Sequence, residues 1–241
     1  MSEDMIYPAP YCRTWTPIKK WRDKIVMVGF FGSETSYETP TNRPVIIISD
    51  TDNGTVEYAV NYPEQYSNYN WGGGYPYRLP SYDLVDGTLV VSFAAHHELI
   101  CHSLLTGEEK SHYAGSTAIP QIKSFPEPKI LSMPKDTKVF DWYYKSPSYE
   151  GIYYDRYKNL YYRIAKLPVP EENRVGDLST NKPTVVIVLD SELNYVGECA
   201  LPEDIVFRTV NCFVSQDGLN IQVLTGDEDK MTFYQYTFEE K

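Results

Sequence analysis

Short apolar stretches separated by polar turns recur along the whole chain. Examples are VIIIS, TLVVSF and TVVIVL, which are short and rich in β-branched residues. Runs of this kind, when Gly, Asn, Asp or Pro flank them, predict β-strands. The segment GIYYDRYKNLYYRI at residues 151–164 fits the pattern, with GIYYD as one strand, RYKN as the turn and LYYRI as the next strand.

A unit made of a strand, a tight polar turn and a second, more apolar strand recurs four times. Its versions are KKWRDKIVMVGF from Lys19, SYDLVDGTLVVSF from Ser81, YYDRYKNLYYRI from Tyr153 and CFVSQDGLNIQVL from Cys212. Asp, Asn or Gly occupies each turn, where a positive φ or a side-chain bond to the backbone is needed. The repeat therefore predicts four β-hairpins.

In three of the units a second strand–turn–strand segment follows the hairpin. These segments are RPVIIISDTDNGTVEYAV, ELICHSLLTGEEKSHYA and KPTVVIVLDSELNYVGECALP. Repeated modules of four antiparallel strands predict a β-propeller. We therefore expect one all-β domain over residues 1–241, with about four blades, at approximately 11–62, 77–116, 149–202 and 204–241, and a long connection at 116–148.

The strand count of the last unit leaves two interpretations of the ring. This unit offers three strands before the chain ends, and four blades are few for a propeller. Either the N-terminal segment MIYPAP supplies the missing strand and closes a small ring, or the chain is part of a larger, six-bladed propeller. The two prolines of MIYPAP donate no ladder hydrogen bonds, which favours the second interpretation.

Composition and charge narrow the class of partner. The chain has 22 tyrosines, which favour half-buried strands, and 33 acidic against 22 basic residues, for a net charge of −11. No basic run offers a match to a nucleic-acid backbone, so nucleic acid is not an expected partner. No apolar stretch is long enough for a transmembrane helix, and the first residues show no signal peptide. Cys12, Cys101, Cys199 and Cys212 are far apart, so we expect buried thiols, with one or two disulfides as the alternative.

The segment NWGGGYPYR at residues 70–78 is the candidate binding element. One hypothesis is a mobile loop that presents Trp71, Tyr75, Tyr77 and Arg78 at the mouth of the ring. Aromatic rings stack on sugars or apolar groups, and an arginine binds a carboxylate through two hydrogen bonds. The alternative is a flexible turn that leads into the second blade.

Other motifs do not commit the chain to a reaction. HHELICH at residues 96–102 departs from the HExxH zinc spacing, so a turn followed by half-buried strand histidines is the interpretation we prefer. Glu150 and Asp155 are too far apart along a strand for a pair of glycosidase carboxylates. We therefore predict no catalytic residue, no metal site and no cofactor.

Five segments together resemble a bacterial family known as a domain of unknown function, over residues 55–225: NYNWGGGYPYR, DGTLVVSF, HYAGS, SYEGIYYDRYKNLYYRIAKLP and VVIVLDSELNYVGECALPE. The resemblance implies a six-bladed, TolB-like propeller in exported lipoproteins of gut Bacteroidetes, hence a cell-envelope or extracellular location. It also implies that this chain corresponds to the C-terminal portion of such a propeller. No catalytic residue is implied, and the chain departs from the family pattern in having no lipobox cysteine.

Three functional hypotheses follow. The first is a non-enzymatic binding or scaffold module of the cell envelope that recognises a peptide, a glycan or a partner protein. The second is a hydrolase or lyase that acts on an extracellular polymer, with acid and base groups from different blades meeting in the channel. The third is an incomplete propeller without independent function, whose exposed strand edges need a partner.

Overall fold

The computed structural model describes residues 8–30, 43–66, 71, 77, 79–126, 137–173, 181–227 and 229–238. Over these residues the strands form four antiparallel sheets arranged as a four-bladed β-propeller, which confirms the predicted all-β class and blade repeat. The first strands of the second, third and fourth sheets pack side by side, so they lie innermost around the axis.

The first sheet is formed by β1 (Ala9–Pro10), β2 (Lys19–Trp21), β3 (Lys24–Phe30), β4 (Pro44–Asp50) and β5 (Thr55–Asn61). The second is formed by β6 (Ser81–Val85), β7 (Thr88–Ser92), β8 (Glu98–Ser103) and β9 (Glu109–Tyr113). The third is formed by β10 (Ser148–Asp155), β11 (Leu160–Lys166), β12 (Thr184–Leu189) and β13 (Tyr195–Ala200). The fourth is formed by β14 (Phe207–Ser215), β15 (Gly218–Val223) and β16 (Thr232–Tyr236).

In each of the four units, the turn of the first hairpin contains a residue with a positive φ. Arg22, Asp86 and Asn159 have φ values of 54°, 48° and 55°, and Gly218 has a φ of 139°. At Gly218 a Cβ would lie 2.2 Å from the carbonyl oxygen of Tyr236, so a side chain has no room there. These turns fix the register of the innermost strand against the next strand in each unit.

The segment 151–164 pairs as the sequence predicts. Tyr154 faces Tyr161 across the hairpin, and the ring centroids are 4.8 Å apart. Asp155 is buried and stabilises the turn, since its carboxylate accepts hydrogen bonds from the backbone amides of Tyr157 and Lys158 and from the Tyr162 hydroxyl. Because both faces of this sheet pack on neighbours, apolar side chains occupy successive positions.

Three apolar cores separate the blades. The first contains side chains of the first and second sheets, the second those of the second and third sheets, and the third those of the third and fourth sheets. In each core the facing sides of two adjacent sheets pack together, and this contact stabilises one blade against the next.

A buried arginine stabilises the junction of the second and third sheets. Arg163 on β11 is 0% exposed and lies with its guanidinium 3.7 Å from the centre of the Tyr149 ring. It donates hydrogen bonds to the hydroxyl of Ser92 and to the carbonyl oxygens of Phe93, His96, His97 and Ala114. Burial lowers the pKa of Arg163 to about 10, which still leaves it charged at neutral pH.

The long connection between the second and third sheets contains a helix that the sequence reading did not anticipate. This helix, α1, spans Thr137–Lys145. Its sequence TKVFDWYYK is aromatic, which favours strands when only propensity is considered. Trp142 and Tyr143 pack against the first core, so tertiary burial outweighs the local preference.

The N-terminal segment does not join the last blade in the described structure. Residues Ala9 and Pro10 pair with Phe30 and Gly29 of β3, in the first sheet. Residues 5–7 of MIYPAP lie outside the described residues. Within the described part of the chain, β16 therefore has one edge without a strand partner.

The four cysteines differ in how far they are exposed. All four cysteines are free thiols, and Cys212 is buried as expected, whereas Cys12 and Cys199 are exposed. The expectation of buried thiols was therefore wrong for those two, because they lie on the surface of the first and third blades.

In the described ranges, no helix has the length and apolar character that a membrane crossing requires.

Candidate functional site

One cavity of about 1020 Å³ lies on the axis and is lined by all four blades. Its first-blade residues lie in β2 and the segment before it, and the other blades contribute β6, β10, β14 and β16. The lining consists of Thr14, Trp15, Pro17, Lys19, Lys20, Tyr82, Asp83, Leu84, Ile152, Tyr153, Tyr154, Arg156, Tyr157, Asn211, Cys212, Phe213, Val214, Met231 and Phe233. Because the inner strands come from distant parts of the chain, no short sequence motif predicts this site.

An ion pair between Lys19 and Asp83 joins three blades at the cavity wall. Lys19 Nζ lies 2.5 Å from Asp83 Oδ1, and these residues belong to the first and second sheets. Asp83 Oδ2 accepts a hydrogen bond of 2.8 Å from the backbone amide of Tyr154 in the third sheet. The Leu84 amide donates to Oδ1 at 2.7 Å. Asp83 thus ties the inner strands together and leaves Lys19 neutralised.

A second, smaller cavity of about 220 Å³ lies at the opposite ends of the same inner strands. Ser81 and Glu150 stand on neighbouring strands here, and the Ser81 hydroxyl donates to the Glu150 carbonyl oxygen at 2.5 Å. The Glu150 carboxylate accepts a hydrogen bond from the Thr209 hydroxyl of the fourth sheet. Trp15 lines both cavities, so the two are neighbours along the axis.

Helix α1 contributes Tyr143 to the wall of the small cavity. Burial is the main cause that raises the pKa of the Tyr143 hydroxyl well above its ordinary value, and nearby Glu150 raises it further. Next to this ring, Lys182 is buried, with Nζ 4.1 Å from the ring centre and hydrogen bonds to the carbonyl oxygens of Tyr143 and Ser146. Burial lowers the pKa of Lys182 to about 7. A buried lysine and a buried tyrosine thus lie side by side next to the small cavity.

Burial raises the pKa of two potential nucleophiles of the large cavity, Cys212 and Tyr153. Cys212 lines the large cavity, and burial raises the pKa of its thiol to about 12. A thiol in that state supplies almost no thiolate at neutral pH. Burial likewise raises the pKa of the neighbouring Tyr153 hydroxyl.

The structure places Trp71 and Tyr77 in the first core rather than in the cavity lining. Trp71 is 5% exposed and Tyr77 is 1% exposed, and their ring centroids are 5.5 Å apart. The Tyr77 hydroxyl donates to the carbonyl oxygen of Pro147 at 2.8 Å, which joins this segment to the residue before β10. These contacts give both rings a packing role.

The other two predicted binding residues, Tyr75 and Arg78, lie outside the described residues. A ligand-binding role for the segment 70–78 stays a prediction. The sequence did not single out Lys19, Asp83 or Thr209, which the fold brings to the axis. Glu150 was considered only as a partner of Asp155, whereas in the fold its carboxylate accepts a hydrogen bond from Thr209. A signal for Asp83 was present, since SYDLV holds one carboxylate inside an otherwise apolar strand that begins a repeat unit.

The histidines occupy the places that the sequence interpretation gave them. His96 and His97 lie in the turn before β8, and His102 lies in β8 with Nδ1 3.1 Å from Glu109. In the part of the chain that the structure describes, His, Cys, Asp and Glu side chains do not gather in a group of three or more that could hold a metal ion.

A four-bladed β-propeller with an axial cavity is thus the class of protein that the fold defines. Residues 10–200 match a family described as "Domain of unknown function (DUF4221)", and the chain belongs to this family. Among curated proteins, none matches the chain.

A solved structure with a similar fold is a crystal structure of a member of the DUF4221 family from Bacteroides vulgatus. The TM-score is 0.73 at 22% sequence identity, over 94% of this chain and 64% of that chain. At this identity the likeness concerns the fold alone. This chain spans less than two thirds of the length of that relative.

Proposed function

We propose that the protein is a non-enzymatic binding module of the cell envelope that takes a ligand into the large axial cavity. The observation that carries this proposal is the cavity itself, which is about 1020 Å³ and receives side chains from all four blades. Ligand sites in proteins commonly have volumes of about 300–1,000 Å³ and combine apolar walls with a few polar groups. A peptide, a glycan or a segment of a partner protein is the expected ligand.

Aromatic side chains at the cavity support binding over a purely structural role. Tyr157 is 57% exposed and Phe213 is 47% exposed, and both line the large cavity. Exposed rings that converge from different blades on a concave surface offer contact area to a ligand at low entropic cost.

The test is binding of an oligosaccharide and peptide panel, followed by ligand-observed NMR and calorimetry. Tyr157→Ala and Phe213→Ala remove cavity rings and are expected to weaken the binding of any hit by about fivefold or more. Tyr195→Ala is the matched control, since Tyr195 is 45% exposed on β13 and does not line the cavity. Equal affinity for all variants would show that the cavity is not the binding site.

An enzymatic function is the second candidate, and two carboxylates on the axis favour it. Asp83 lines the large cavity and Glu150 lines the small one, on neighbouring inner strands. Each carboxylate, however, already accepts hydrogen bonds from other blades. We therefore give a hydrolase or lyase acting on an extracellular polymer second place. If polymer cleavage is detected, Asp83→Asn or Glu150→Gln should reduce the rate about a hundredfold or more.

We further propose that this chain corresponds to the C-terminal portion of a six-bladed propeller of an exported lipoprotein. The support is the family membership, the 64% share of the relative's length that the chain spans and the unpaired edge of β16 in the described structure. An in-frame lipoprotein signal in the DNA upstream of the Met1 codon would agree with it. If no such signal exists, the incomplete-propeller hypothesis predicts dimers that form through the β16 edge, measurable by sedimentation at increasing concentration.

A further inference from the structure

The charge at the large cavity has the opposite sign to the charge of the whole protein. The chain carries a net charge of −11. The cavity lining nevertheless contains Lys19, Lys20 and Arg156 against one carboxylate, Asp83. A concave surface with a local excess of one sign concentrates ligands of the other sign. The cavity is therefore a place where an acidic protein attracts an anion.

Two of these cations are available to a ligand. Lys19 forms its ion pair with Asp83 at 2.5 Å. Lys20 and Arg156 are exposed, and among the described residues neither forms an ion pair with a carboxylate. They come from different blades, Lys20 from β2 and Arg156 from the turn between β10 and β11. Two separate elements thus place positive charge at one cavity without neutralising it.

The uncharged residues of the cavity lining indicate which chemical groups the ligand carries besides its negative charge. Trp15, Tyr157, Phe213 and Phe233 offer ring faces, and Thr14 and Asn211 offer polar groups. Sugar rings stack on aromatic side chains through their apolar faces, while their hydroxyls bond to amides and hydroxyls. A carboxylate on such a sugar adds a charge-assisted hydrogen bond with arginine, which has two parallel N–H donors for it.

We propose that the large axial cavity binds an acidic saccharide, whose carboxylates contact Lys20 and Arg156 and whose pyranose rings stack on Tyr157 and Phe213. This inference rests on the proposed function, because it places the ligand in the same cavity, and it adds the chemical class. Free monosaccharide acids and acidic stretches of a polymer share this chemistry, and probes of increasing length distinguish them.

The probes are galacturonic acid, an oligogalacturonate and a neutral galactose oligomer of the same length, measured by isothermal titration calorimetry. Arg156→Gln and Lys20→Gln each remove one cavity charge. Lys123→Gln is the matched control, since it removes one exposed charge outside the cavity lining. Tyr157→Ala reports on the cavity without changing charge. Melting temperatures verify that each variant is folded.

The expected result is tighter binding of the acidic probes than of the neutral one. Arg156→Gln should weaken binding of the oligogalacturonate by about tenfold, which is about 1.4 kcal/mol, and Lys20→Gln by a smaller factor. Lys123→Gln should change it by less than about twofold. Raising NaCl from about 50 to about 500 mM should weaken binding of the acidic probes and leave the neutral probe unchanged.

Two outcomes overturn the inference, and they differ in what they say about the cavity. If neutral and acidic oligomers bind alike, and Tyr157→Ala weakens both while Arg156→Gln weakens neither, the cavity binds saccharides but does not select acids. If no saccharide probe binds, the acidic-saccharide class is wrong. In that case, loss of peptide binding in Tyr157→Ala would keep the proposed function, whereas no effect on any ligand would remove both.

Discussion

Arg156 and Arg163 lie on the same hairpin of the third blade, Arg156 in the turn and Arg163 in β11. Arg163 is buried, whereas Arg156 is exposed. Arg163 is buried at the junction with the second blade, where five oxygen atoms accept its hydrogen bonds. Arg156 is exposed at the axial cavity and forms no ion pair with a described carboxylate. The comparison teaches that the two positive charges serve different purposes. A buried cation whose donors are all used is part of the structure, and an exposed cation in a concave site is available for binding.

The largest effect is expected when Arg163 is replaced. Arg163→Gln would leave several buried carbonyl oxygens without donors, and each such group costs about 1–3 kcal/mol. We expect the free energy of unfolding to fall by about 3 kcal/mol or more, measured by urea unfolding followed by fluorescence. A loss below about 1 kcal/mol would show that the junction does not depend on this guanidinium.

The distinction between buried structural residues and exposed binding residues should also hold for aromatic side chains. The next largest loss of stability is expected at Trp71. Trp71 packs against the rings of Tyr66, Tyr77 and Trp142 in the first core. Trp71→Ala should therefore lower the free energy of unfolding by about 3–5 kcal/mol. Tyr157→Ala, at an exposed cavity ring, should change it by less than about 0.5 kcal/mol. Ligand binding by Trp71→Ala is then measured only under conditions where the variant is folded.

A third, smaller effect concerns pH at the Arg163 junction. Burial, together with the positive charge of Arg163, lowers the pKa of His96 and of His97. The Tyr149 hydroxyl accepts a hydrogen bond from the Ser116 amide and lies 2.8 Å from Nδ1 of His97, to which it is hydrogen-bonded. Glu98 faces His96 at 3.5 Å and opposes part of the shift.

Since these pKa values are lower in the folded than in the unfolded state, the unfolded chain binds more protons at low pH. The histidine contribution to stability should be fully present above about pH 6.5, the ordinary histidine pKa, and should be lost as the pH decreases through the lower folded values. His97→Gln should reduce the slope of stability against pH between about pH 7 and pH 5, measured by urea midpoints. An unchanged slope in this variant would assign the pH dependence to other groups.

The smallest effect is expected for Arg156→Gln. Because Arg156 is exposed and unpaired with described carboxylates, its replacement should change the free energy of unfolding by less than about 0.5 kcal/mol. Arg156→Gln and Arg163→Gln are a matched pair, because both replace an arginine by glutamine on the same hairpin. Urea unfolding of the two variants side by side measures the difference. A large loss of stability in Arg156→Gln would place this residue with the structural cations and would weaken the binding inference.

The elements that local pattern controls were predictable from the sequence. The hairpin 151–164 was read correctly because alternating packing, a polar turn and a positive-φ asparagine all act within a few residues. Helix α1 was missed because its aromatic residues favour a strand locally, and only their burial in the first core makes the helix stable. The glycine-rich segment 70–78 showed the same limit, since Trp71 and Tyr77 are core residues that nothing in NWGGGYPYR distinguishes from surface rings.

The sequence by itself determined the strands, their turns, the four-fold repeat and hence the propeller, because these depend on interactions between near neighbours in the chain. Only the tertiary structure decided that Lys19, Asp83 and Arg156 meet at one cavity and that Arg163 is enclosed by carbonyl oxygens. The reason is that an axial site in a propeller is assembled from one inner strand of each blade. Residues that are far apart in sequence become neighbours only when the blades pack around the axis.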